Sequence, residues 1–237
     1  MNILEIQSAL KMQGFDPGGV DGVWGRRTIA ALRAFQRAKG LDAVGQLGPK
    51  TLEALGASAP PAVAGVVAAP ANASPLVWFA EAQRLQGLRE VPGPDSNRVI
   101  MDWAADLDLH YKGDDVPWCG LFVSHCIGAT LPEESLPNNP LGARSWLKLG
   151  VECEPALGAV IVFWRESRNG AKGHVGFYNG EDAQAYHVLG GNQSNAVNVT
   201  RVGKDRFLGA RRPASMPELP GGRVLLTTSG ALSQNEA

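Results

Sequence analysis

Apolar positions recur every three to four residues near the start of the chain and give way to short alternating runs toward its end. Ile3, Ile6 and Leu10 fall on one helical face, as do Ile29, Leu32 and Phe35, which predicts short helices closing one small core. Residues 117–126, "PWCGLFVSHC", begin with a proline suited to a helix start and continue as a proline-free apolar run, so a buried helix is expected from about residue 118. Beyond Pro155, "GAVIVFWRE" (158–166), "GHVGFYNG" (173–180), "QAYHVLGG" (184–191) and "NAVNVTRV" (195–202) read as strands of a small antiparallel sheet. Asn179-Gly180 and Gly190-Gly191 serve as their turn signals.

Two segments of the first region echo one another. "GVWGRRTIAAL" (22–32) and "GQLGPKTLEAL" (45–55) share two glycines that permit tight turns, followed by Thr28 or Thr51 as the expected helix N-cap. A Pro/Ala-rich stretch then breaks the pattern and reads as a semi-stiff linker. The chain therefore divides into 1–56, a linker 57–75, a larger domain 76–213 and a loosely ordered tail 214–237. Hydrophobic residues at 44 % and charged residues at 19 % fit globular domains rather than disorder. A net charge of −1 without a Lys/Arg cluster argues against nucleic acid or a membrane surface as the main partner. The N-terminal stretch does not resemble a secretory signal, and three cysteines are too few and too uneven for a disulfide framework.

Helix geometry weighs the chemistry of residues 117–126. Cys119 and Cys126 would sit roughly 10 Å apart along the axis, too far for a disulfide. His125 lies about 120° around the axis from Cys119, and four converging zinc ligands are not found in the sequence. What remains is Cys119 in the first turn of a helix, where unpaired N–H groups stabilise a thiolate. His174 opens the second strand after Gly173, which would let a substrate or the nucleophile approach closely, and Asn192 follows the third strand, where its carbonyl could orient an imidazole. Cys, then His, then a polar orienter is the order of a papain-like triad. Asp114 and Asp115 read as solvated charge before the helix, and His110 and His187 as loop and sheet residues.

Both halves resemble known families. Residues 2–56, with Asp21, Gly22, Gly25 and Thr28, are similar to the peptidoglycan-binding domain carried by bacterial cell-wall hydrolases. That resemblance implies a helical module docking on wall polymer, with Trp24, Arg26 and Arg27 as the residues expected to line its groove, a ring for sugar faces and guanidiniums for stem carboxylates. The W-C-x-x-F box at Trp118, Cys119 and Phe122, the G-H-V box at residues 173–175 and "VLGGNQS" resemble the CHAP and NlpC-like papain-like wall peptidases, from about Pro75 to Pro213. It implies Cys119 as nucleophile, His174 as base, Asn192 as third member and Trp118 at the substrate surface. The implied fold class is α+β: a three-helix module, a linker, and a papain-like domain whose Cys-bearing helix packs on an antiparallel sheet.

The combination suggests a phage endolysin, a monomer that cleaves an amide of peptidoglycan without metal or organic cofactor and waits in the host cytoplasm until released to the wall. The alternatives are a non-catalytic wall-binding or virion structural protein with a degenerate hydrolase fold, and a glycan-cleaving enzyme with Glu90 and Asp95 as its nearest paired acids.

Overall fold

A computed structural model describes residues 3–20, 25–43, 45, 47–56, 76–93, 95–107, 109–131, 133–216, 218–219, 222–227 and 230–233. The expected linker, 57–75, lies outside them. The chain forms two compact units, Met1–Val77 and Trp78–Ala237, and its architecture is α+β.

The first unit holds helices α1 (Ile3–Met12), α2 (Arg26–Ala38) and α3 (Pro49–Ala54). Ile6, Leu10, Ile29, Leu32 and Phe35 are its buried residues, and Phe15 meets Phe35 edge-on at 5.6 Å. Thr28 and Thr51 do not cap. The N-caps are Gly25 and Gly48, and each threonine is buried one turn inside its helix. There the amide of Gln7 donates to Thr28 Oγ1 and that of Gln36 to Thr51 Oγ1, both at 3.1 Å. The sequence echo is thus a structural one, a buried Gln–Thr buttress built twice. In the second copy Gln36 also accepts the Gly45 N–H at 2.9 Å, pinning the turn that the positive φ of Gly45 makes possible.

The second unit adds α4 (Val77–Arg84, its first residue from the other unit), α5 (Arg98–Asp106) and α6 (Cys119–Thr130). Its sheet comprises β1 (Val151–Cys153), β2 (Val160–Trp164), β3 (Gly173–Glu181), β4 (Ala185–Gly190), β5 (Asn198–Gly203) and β6 (Phe207–Arg212). The order is β1-β6-β2-β3-β4-β5 and every neighbouring pair is antiparallel. All twelve residues of α6 are buried, as its unbroken apolar run requires. Phe122 packs edge-on against Phe177 of β3, and Trp103 of α5 lies against both Trp118 and Phe122. The other core cluster joins Ile161, Phe163, Tyr178, Val188 and Val202.

Asn179-Gly180 does not turn the chain. It forms a bulge within β3, and the reversal comes at Asp182, whose carboxylate accepts the N–H groups of Gln184 and Ala185. A side chain at Gly180 would strike Leu226, because the C-terminal segment runs over this point. Glu181 exchanges backbone hydrogen bonds with Val224 and Leu226 at 2.8 Å, Arg223 and Lys204 pair with its carboxylate, and Ser233 N–H donates to Arg201. These tail residues are a strap on the sheet rather than the loose end expected from composition.

Candidate active site

Cys119 is the first residue of α6 and keeps 4 % of its surface exposed. The exposed residues Asp115, Val116 and Pro117 lead into it, and Tyr111 closes that loop by donating its hydroxyl to the Val116 carbonyl at 2.6 Å. Gly120 is required beside the thiol: a Cβ there would lie 2.4 Å from the Leu141 carbonyl oxygen and 2.6 Å from that of Pro140. Burial pushes the Cys119 thiol up, offset in part by the backbone N–H groups of Val175 and Gly120 and by the charge of Arg165. Val175 follows His174 on β3, the strand against which α6 packs.

His174 is wholly buried, in register with Phe163 of β2. Its Nε2 lies 2.9 Å from Gln193 Oε1. The amide of Gln193 is oriented without ambiguity, since its Nε2 donates to the carbonyls of Asn198 at 2.6 Å and Val188 at 3.2 Å. Its oxygen must then face the imidazole and accept, which makes His174 Nε2 the protonated nitrogen of the neutral ring and Nδ1 the basic one.

The orienting side chain is thus Gln193, one residue beyond the expected Asn192. Asn192 serves the backbone: its φ is 56°, and Ser194 and Asn195 follow with φ of 52° and 59°. Asn tolerates this left-handed conformation, and the coil it starts brings Gln193 back under β4. Two glycines make room. A Cβ at Gly190 would fall 2.9 Å from Gln193 Oε1 and 3.1 Å from His174 Nε2, and one at Gly191 would strike Phe122 and Trp118.

Trp118 is fully buried, its indole N–H directed at Glu90 at 3.3 Å, so it offers no ring face to a substrate. Gly173 admits protein rather than substrate: a Cβ there would fall 2.7 Å from the Phe163 carbonyl oxygen and 3.0 Å from the Arg144 side chain. Arg144 staples the β2–β3 hairpin through the carbonyls of Lys172, Arg168 and Ser167. Asp114 is buried and accepts from the Val91 and Asn97 amides, tying down the 91–97 loop. Glu90 is engaged by Trp118, and Asp95 is exposed. In the first unit Arg27 is exposed and pairs with Asp16 at 3.7 Å. Trp24, Asp21, Gly22 and the side chain of Arg26 lie outside the described residues. Sequence reasoning missed Gln193 and Arg165. The first was legible only as the neighbour of Asn192, and the second left a trace in its place directly after a strand that pairs with the one bearing His174.

Among the described residues no group of three or more His, Cys, Asp or Glu side chains is arranged to hold a metal ion. No described helix is long and apolar enough to cross a membrane.

Comparison with known proteins bears on the first unit. No solved structure matches the chain. Two proteins named "Spore cortex-lytic enzyme", one from Bacillus cereus strain ATCC 14579 and one from Bacillus cereus, are 48 % identical to it over 54 residues, 23 % of this chain and 21 % of theirs. The chain thus spans about a fifth of the length of these curated relatives. Residues 2–55, the Gln–Thr duplicated helical unit, match the family described as "Putative peptidoglycan binding domain".

Proposed function

We propose that the protein is a cysteine-dependent peptidoglycan hydrolase of the endolysin type, in which the helical module docks on wall polymer and Cys119, His174 and Gln193 cleave an amide. One observation carries this: α6, which begins at the Cys119 thiol, packs on the strand that bears His174, a histidine whose tautomer is fixed by a neutral amide. The papain-like resemblance of the Cys and His boxes supports it, and the match of residues 2–55 supports the wall as the substrate's location.

Because burial raises the thiol's pKa, the resting sulfur is held as S–H and needs a base. His174 Nδ1 takes that proton while Nε2–H stays on Gln193. The thiolate adds to the amide carbonyl, and the oxyanion is met by the Cys119 backbone N–H at the helix start, a kind of contact worth about 3 to 4 kcal/mol. The imidazolium returns the proton to the departing amine, leaving a thioester. Water, deprotonated at the same nitrogen, adds to the thioester; the thiolate leaves, regains its proton, and the carboxylic acid is released. Carrying the wall-binding module on the same chain raises the local concentration of this centre on an insoluble polymer. As an endolysin it would accumulate in the host cytoplasm and act once released to the wall.

The test compares wild type with Cys119→Ala and His174→Ala on outer-membrane-stripped cells. Loss of clearing by on the order of 10³-fold or more in both variants is expected from removal of nucleophile or base, with wall sedimentation retained. Equal clearing by all three would remove the thiol mechanism, and no clearing by the wild type would favour a non-catalytic wall binder. Mass spectrometry of the released fragments identifies the amide that is cut.

A further inference from the structure

The two copies in the helical module are equivalent in more than their buttresses. "GFD" at 14–16 and "GLD" at 40–42 precede the glycine pairs, and Arg27 and Lys50 stand one residue before the buried threonines. In the first copy the equivalent charges are spent on each other, Asp16 pairing with Arg27 at 3.7 Å. In the second copy Asp42 and Lys50 form no ion pair among the described residues, and both line a cavity of about 480 Å³. That is the size of a small-ligand site. Its floor is the Gln36–Thr51 hydrogen bond, and Leu41, Leu47 and Pro49 supply apolar walls. Just beyond the Gly45 turn, Arg33 adds a cation whose Nε is buried without a hydrogen-bond partner among the described residues.

This lining has the chemistry of a peptide and not of a glycan. Sugar faces are met by aromatic rings, and among the described residues none lines this cavity. A carboxylate and an ammonium group flanking small apolar walls match a short peptide that carries a free carboxylate, an amine and methyl side chains. We propose that this cavity of the second copy is the docking site for the peptide stem of peptidoglycan. Lys50 takes a stem carboxylate, Asp42 takes an amine of the stem's diamino acid, and alanyl methyl groups rest on Leu41, Leu47 and Pro49. The proposal rests on the wall-binding function above and names the part of the polymer that is held.

The test uses the full chain carrying Cys119→Ala, so that the wall is not digested. Its probes are a synthetic stem tetrapeptide, alanyl-glutamyl-diaminopimelyl-alanine, a chitotetraose and purified sacculi. The tetrapeptide is expected to bind and to compete with sacculi, while chitotetraose does neither. Lys50→Gln and Asp42→Asn, both at exposed positions, should each weaken tetrapeptide binding about tenfold or more, as loss of a charge-assisted contact implies. Lys50→Arg should restore most of it, and Asp16→Asn in the first copy should leave it unchanged. Sacculus binding that survives in Lys50→Gln and Asp42→Asn, or competition by chitotetraose alone, overturns the cavity assignment and leaves wall binding standing. If the parent chain fails to sediment with sacculi, the wall-binding function itself falls.

Discussion

His125 and His174 are both buried in the second unit, and they are held in opposite ways. His125 stacks on Trp103 at 4.8 Å, and its Nε2 lies 2.9 Å from Glu81 Oε1. Glu81 is also bound by Arg84 through two contacts of 2.8 and 2.7 Å. Burial alone would raise the Glu81 carboxyl, but the hydrogen bonds from Arg84 and His125 draw it down to about 2. His174 meets a neutral amide, itself locked by backbone carbonyls. The first cluster joins α4 to α6 through the Glu81 carboxylate, which Arg84 and His125 both engage. In the second the partner fixes a tautomer and contributes no charge. Nearness to Cys119 in sequence would pick His125 as the base; the helix carries it instead to the α4 and α5 side.

Breaking the first cluster should cost the most stability. Glu81→Gln is expected to destabilise the second unit by about 1–3 kcal/mol, the range for weakening buried hydrogen bonds to a charged group, in denaturant melts, with activity per folded molecule preserved. The sign with pH follows from the depressed carboxyl. Its contribution is complete above the unfolded-state value, near 4.3, and is lost as pH falls toward about 2. The wild type should therefore lose stability through that window, and Glu81→Gln should show a flatter acid limb.

The second cluster should respond in rate rather than in melting. Gln193→Leu is expected to lower kcat on the order of 10- to 100-fold, the usual size for removing a group that orients a working histidine, with KM little changed. Asn192→Gly keeps the left-handed backbone and should leave kcat nearly intact. A large loss in Asn192→Gly with a small one in Gln193→Leu would return the orienting role to Asn192.

The smallest effect concerns the thiol. Arg165 lowers the Cys119 pKa against the upward push of burial. Arg165→Gln should move the pH profile of iodoacetamide labelling at Cys119 upward, and only slightly, since a half-exposed charge acts through solvent. An unchanged profile would remove Arg165 from the site.

Much of this was legible from periodicity. The helix at Cys119, the helices of the first module and four of the six strands stand in the expected places. β1 and β6 were hidden: Val151–Cys153 is too short to show alternation, and Phe207–Arg212 carries two arginines at its end. The threonines misled because a hydroxyl near a helix start satisfies either an N–H or a buried glutamine, and only tertiary packing chooses. Trp118 misled for a similar reason, since an indole beside a nucleophile can as well seal the helix to the 190–193 loop. Gln193 could not be separated from Asn192 because the choice depends on a run of left-handed residues that no local pattern encodes.

The glycine pair at 190–191 has a consequence for redesign. Both positions are barred to any side chain, by the imidazole–amide pair on one side and by the nucleophile helix on the other. Substitution at either position is expected to break the Gln193–His174 contact or displace the start of α6. Diversity can enter instead at Ser194 and Asn195, which are exposed, and asparagine, aspartate or glycine will be the residues that their backbone accepts most readily.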